Sequence, residues 1–120
     1  MINRDNRRKR GGLVVFQKNS SFRGVLNFKE PLLIEGQFEG EISGEDYLEI
    51  GQSAQVKAHI VGSHIAVYGL VEGNIYAKDK VELKSGATVI GKIRTPNFEV
   101  EDGVVFEGSC EMKEQSQAAS

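Results

Sequence analysis

The side chains best suited to chemistry are two histidines, His59 and His64, and the single cysteine, Cys110. An imidazole near neutrality can serve as a general base, and a small β-helix acyltransferase would use one in that way. Such an enzyme also needs a strict six-residue repeat and a protruding loop, and this chain has neither. His59 falls at an outward position of a strand-like unit and His64 at a joint between units. Neither stands at a metal-ligand spacing from Cys110. Gly-Asp calcium repeats and a phosphate-cradling GxxxxGK[ST] loop are absent. No catalytic, metal or cofactor-binding residue is therefore assigned, and the chain is not expected to be an enzyme. A lone cysteine makes no internal disulfide and fits a reducing compartment.

The second feature with chemical potential is charge. Residues 1–12, MINRDNRRKRGG, hold Arg4, Arg7, Arg8, Lys9 and Arg10 against Asp5, whereas the whole chain has a formal net charge of −2. Such a block does not pack, and Gly11-Gly12 frees it from the rest of the chain, so it is expected to be a flexible basic arm. With Met1 and Ile2 as a small apolar tip, the arm suits an anionic membrane surface. A tail that merely aids solubility is the competing reading. Nucleic acid is the weakest partner, because no aromatics interleave with the cations to stack on bases. No apolar run approaches the ~18 residues of a membrane span, and the basic start is not followed by the apolar segment of a signal peptide. A cytoplasmic protein, at most peripheral at the inner membrane, is expected.

The elements between the tails follow one repeating pattern. A first unit reads apolar, any, Gly or Ala, any, apolar, and begins at Phe22, Phe38, Val56, Val71, Val89 and Phe106. These starts are spaced 16, 18, 15, 18 and 17 residues. A second unit, apolar, any, apolar, begins at Leu32, Leu48, Ile65, Val81 and Phe98 with the same period. Two interleaved patterns sharing a period of about 17 residues mark a solenoid, in which no turn buries its apolar face alone but neighbours cover it. The expected fold is an all-β parallel β-helix, right-handed and triangular, of about six rungs over residues 13–112. The polar residues 113–120 are expected to be disordered.

Stacking in register places Phe38, Val56, Val71 and Val89 in one interior column, with Leu26, Ile42, Ile60, Ile75, Ile93 and Cys110 in another. The Gly or Ala between them is either a bend or a small inward residue. Outward, Arg23, Glu39, Lys57 and Glu72 alternate in sign, which favours this register. Glu82 beside Glu99 opposes it. An antiparallel sandwich of hairpins is the alternative fold, and Leu13–Phe16 is either a first incomplete strand or a flap over the open end.

All six phenylalanines lie near the ends: Phe16, Phe22, Phe28 and Phe38 on one side, Phe98 and Phe106 on the other. Wider end rungs needing larger fillers would explain this. So would apolar ends that meet other copies, because an uncapped solenoid exposes core and unpaired backbone. On that reading Phe22, Leu26, Phe28, Phe106 and Cys110 form a polymerisation interface.

The basic N-terminal tail, the six FxGxI-like units between residues 22 and 110, the interleaved LxIG and VxLxxG units and the polar C-terminal tail resemble the bactofilins, bacterial polymer-forming cytoskeletal proteins. The resemblance implies a right-handed triangular β-helix that assembles end to end, without nucleotide, into non-polar filaments under the cytoplasmic membrane. There the filaments would scaffold cell-wall synthesis or remodelling enzymes and so influence cell shape, with chromosome organisation in some members. A homopolymer, an anionic membrane surface and cell-wall enzymes are the partners it implies. A non-polymerising solenoid interaction domain, like the β-helical half of a division inhibitor, is the rival reading and would lack apolar phenylalanines at both ends.

Overall fold

A computed structural model describes residues 14–17 and 19–112, and within them every regular element is a strand. In chain order these are β1 (Val14–Phe16), β2 (Ser21–Phe28), β3 (Leu32–Ile34), β4 (Gln37–Gly44), β5 (Tyr47–Ile50), β6 (Gln55–Val67), β7 (Leu70–Leu83), β8 (Thr88–Arg94), β9 (Phe98–Val100) and β10 (Val105–Glu111). Every pairing among them is parallel, which excludes the hairpin sandwich that the alternation also allowed.

Both units stack in register. Phe22, Phe38, Val56, Val71, Val89 and Phe106 are successive partners, and so are Leu26, Ile42, Ile60, Ile75, Ile93 and Cys110. In the second unit Val14 precedes Leu32, Leu48, Ile65, Val81 and Phe98. The segment containing Val14–Phe16 is thus the first strand of the array rather than a flap. The six copies form six levels joined by five turns, a β-solenoid. Its axis is filled by side chains, with Phe38, Val56, Val71 and Val89 each no more than 1% exposed. Burying a side chain of that size contributes roughly 1.5 to 3 kcal/mol, and each level supplies several.

The uneven spacing of the repeat comes from its corners. From Ile34 to Phe38 and from Val67 to Val71 the corner spans four positions, and from Ile50 to Val56, Leu83 to Val89 and Val100 to Phe106 it spans six. The longer version contains a tight turn, closed at Ala54 N to Gly51 O (3.0 Å) and Ala87 N to Lys84 O (2.9 Å). A one-residue register shift between Gly62 and His64 takes up part of the remaining variation. Apart from that shift, strand pairing stays in register because extra residues are extruded where no ladder bond is needed.

The glycine of the first unit proves to be a conformational requirement. Gly24, Gly40, Gly73, Gly91 and Gly108 have φ between 131° and 144°, a region that side-chain-bearing residues avoid. A Cβ on Gly91 would run into the carbonyl oxygen of Gly73 one level away. Ala58 holds the same column without a positive φ and is buried.

Charges outside lock the stack. Arg23 Nε meets Glu39 Oε1 at 3.0 Å. The expected repulsion of Glu82 and Glu99 is cancelled by Lys80, whose Nζ lies 3.2 Å from Glu82 and 3.0 Å from Glu99. Lys84 Nζ adds a contact of 3.0 Å to Glu82 and one of 3.4 Å to Glu101. Lys84, then Lys80, holds the Glu82 carboxyl below the usual carboxylate range. Thr95, fully buried, is satisfied by the Asn97 backbone, donating to its oxygen at 2.9 Å.

Candidate functional site

The two histidines have different surroundings. His59 is exposed, and His64 Nε2 sits 3.1 Å from Glu82 Oε2, its ring edge-on to Tyr47 with centroids 5.1 Å apart. Among the described residues no cluster of three or more His, Cys, Asp or Glu could hold a metal ion.

The distinctive chemistry lies at the two ends. Among the described residues β1 pairs only with β3, β2 only with β4, β9 only with β7 and β10 only with β8. Each end therefore presents strand edges without a partner strand, the arrangement that invites further pairing. Several of the side chains there are apolar and partly exposed. At the first end Phe22 is 40% exposed and stacks on Phe38 with ring centroids 5.1 Å apart. Leu26 is half-buried beside it, and Val25 is more exposed still.

Phe28 differs from the rest of its group. Its ring lies over Gly44, where a Cβ would strike it, and it is only 8% exposed. It already serves the core of the isolated chain, because glycine one level below leaves the space a large ring fills. A neighbouring opening of about 260 Å³ is lined by Leu26, Asn27, Phe28, Lys29, Glu30 and Leu32.

At the other end Phe106 pairs with Val89 and packs against Phe98, ring centroids 5.9 Å apart and tilted by 60°. Both rings are half-buried, as is Cys110, whose thiol pKa burial pushes up. Val100 and Val105 are about half exposed. Middle members of the same columns, such as Val71 and Ile75, are sealed between neighbours.

Sequence reasoning missed Val25 and Val105 as end residues. For Val25 the signal was present, an apolar residue at an outward slot where other levels carry Glu41, His59, Asn74, Lys92 and Ser109; Val105 shares its column with Ser21, Gln37, Gln55 and Thr88 but also with Leu70, so its type alone does not mark it. Met1, Ile2, Arg4, Arg7, Arg8, Lys9 and Arg10, read as a membrane contact, lie outside the described residues.

A family model described as "Bactofilin: Polymer-forming cytoskeletal" matches residues 14–111, the span of the strands. The chain belongs to the bactofilin family. As a bactofilin it is a structural, cytoskeletal protein and not an enzyme. It is similar to bactofilin BacO of Myxococcus xanthus (strain DK1622), with 38% identity over 89 residues, 74% of this chain and 71% of that one. It is also similar to BacP of the same strain, 36% identical over 89 residues, which are 37% of that longer protein. In structure it resembles the cytoskeletal bactofilin BacA solved by solid-state NMR, with a TM-score of 0.77, 22% identity, and coverage of 86% of this chain and 98% of that one. That likeness bears on the fold alone. No helix among the described residues is long and apolar enough to cross a membrane.

Proposed function

We propose that this bactofilin assembles end to end through its terminal levels into filaments that need no nucleotide, and that these filaments scaffold cell-wall or cell-shape machinery at the inner face of the bacterial membrane. The observation that carries the reading is that, among the described residues, both ends carry partly exposed apolar side chains beside strand edges with no partner strand. A solenoid that stays monomeric has to cover such ends with polar caps. The interface consists of Phe22 and Leu26 at one end and Phe106 and Cys110 at the other. Phe28, on the same terminal strand, completes the first face with the 8% of its surface that is exposed.

Attachment to membrane is assigned to the basic arm, with Met1, Ile2, Arg4, Arg7, Arg8, Lys9 and Arg10 as the contacts. Each cation near an anionic surface contributes about 1 kcal/mol, weak singly but multiplied along a filament bearing many arms.

Negative-stain microscopy of purified protein at two concentrations in plain buffer tests assembly. Filaments unchanged by ATP, GTP or magnesium are expected, and strict dependence on a nucleotide would overturn the reading. For the arm, filaments lacking residues 1–10 should pellet less with anionic liposomes than full-length filaments do. Equal pelleting would reduce the arm to a solubility tail.

A further inference from the structure

A concavity of about 640 Å³ runs along one flank of the solenoid from His59 to the terminal strand β10, where Ser109, Cys110 and Glu111 line it. Its walls are two rows of outward side chains two residues apart on each strand. One row contains His59, Asn74 and Lys92, and the other contains Tyr76, Arg94 and Glu111. Between the rows the floor is the backbone of Ile75 and Ile93, whose side chains point into the core. Among the described residues His59, Asn74 and Lys92 line the groove and have no side-chain hydrogen bond or ion pair. Arg94 touches Glu111 through Nε at 3.3 Å, which leaves the terminal nitrogens of the guanidinium to bind elsewhere. Tyr76 is 41% exposed.

We propose that this groove docks an extended acidic peptide segment of a partner protein, with carboxylates held by Lys92 and Arg94 and an apolar side chain laid on Tyr76. The spacing fits. Lys92 and Arg94 are two residues apart on β8, about 6.6 Å, and carboxylates two residues apart on an extended peptide lie at that same distance. Arg94 can take a carboxylate with a two-pronged bond, and the Asn74 amide can both donate to and accept from a peptide backbone. The groove floor is already paired within the sheet, so the peptide is bound by side chains and adds no strand.

Charge favours a peptide over nucleic acid. A single strand brings a phosphate at every nucleotide and is held by many cations along its length. This groove has two firm cations, closes on Glu111, and belongs to a chain of net charge −2. A segment with two or three carboxylates suits it better. The inference rests on the scaffold reading only in treating the partner as a client of the filament.

The test is fluorescence anisotropy on the full-length protein, using a short fluorescein-labelled peptide that alternates glutamate with isoleucine. A lysine-for-glutamate version and labelled oligothymidylate serve as comparisons. The basic arm is present in every sample, so differences between variants report the groove. The doubly substituted Lys92→Glu, Arg94→Glu protein should bind the acidic peptide about tenfold more weakly, the sum of two modest charge contacts. Lys57→Glu, in the row outside the groove, should bind it as the wild type does, and circular dichroism should be the same for all three. Unchanged binding by the double variant, no saturable binding of the acidic peptide, equal binding of the lysine peptide, or tighter binding of oligothymidylate would each overturn the proposal. Repeating the titration with Phe106→Arg separates the two readings, because loss of filaments there leaves an intact groove to measure.

Discussion

Replacing Phe106 with arginine separates an end residue from a core residue. In the isolated chain its ring lies on Val89 and against Phe98 with part of its surface still open. An end-to-end joint buries the remainder, worth about 1.5 kcal/mol at the lower limit for a phenylalanine. Arginine forfeits that and places an unpaired charge at a dry contact, a cost of at least about 2.5 kcal/mol. A total swing of about 4 kcal/mol weakens the joint roughly a thousandfold. The fold survives, because at an open level the guanidinium can reach water. Val71 offers the contrast. It is fully buried between Val56 and Val89, so a charge there has no exit and opposes a total stability of only about 5 to 15 kcal/mol. Phe106→Arg should therefore give a folded, all-β monomer or dimer by circular dichroism and light scattering, whereas Val71→Arg loses structure. Filaments that persist in Phe106→Arg would place the joint elsewhere, and unfolding of that variant would make Phe106 ordinary core.

The backbone and charge features give further predictions. Gly91→Ala should cost about 3 kcal/mol, from a φ of 140° that alanine resists and from contact with the Gly73 carbonyl, while Ala58→Gly should cost no more than about 1 kcal/mol; urea midpoints in the Phe106→Arg background measure both. Stability should fall as pH drops below the ordinary carboxylate value of 4.5. Glu82, held down first by Lys84, and Glu101, held down first by the Ser85 backbone N–H, are depressed in the fold, so their contribution exists above that value and vanishes as they protonate. The alkaline limit runs the other way. Lys80 and Lys84 are raised above 10.5 and Tyr47 above 10.0, so what they add is present below those values and lost above them. A thermal melting series in which Glu82→Gln leaves the acid limb unchanged would refute the assignment. Cys110, at the open edge of the last level, should be alkylated by maleimide in Phe106→Arg at least several times faster than in wild-type filaments; equal rates would remove it from the joint.

Much of the fold was legible in the sequence because a solenoid writes each contact as a repeat. Register follows directly from aligning Phe22 with Phe38 and Val56, since a slip of one residue would turn every such side chain outward. What the letters left undecided depended on backbone angle or on neighbours in a different column. The glycine of the first unit reads equally as spacer or bend until its φ is known. Glu82 and Glu99 look repulsive in one column, and the rescue comes from Lys80, two residues away and on the adjoining row. Phe28 lies on the terminal strand β2 and is nevertheless buried, because Gly44 leaves a socket for its ring that the pattern does not reveal. The groove beside Tyr76 escaped notice because a concavity arises from how the strands turn, and single positions in its rows look like ordinary solvated surface.

The glycine column has a consequence for how the chain tolerates change. A bend at Gly24, Gly40, Gly73, Gly91 and Gly108 repeats the same cross-section at five of the six levels, and the corners vary in length. Inserting or deleting a whole turn would leave diameter, curvature and both terminal surfaces as they are. Lengthening is thus nearly free of geometric conflict, whereas widening is forbidden at each glycine. Gene duplication can set the length of such a rod like beads added to a string, and two rods of different length would still present matching faces. On the end-to-end reading, a filament could therefore admit subunits of unequal length without a step in its outline.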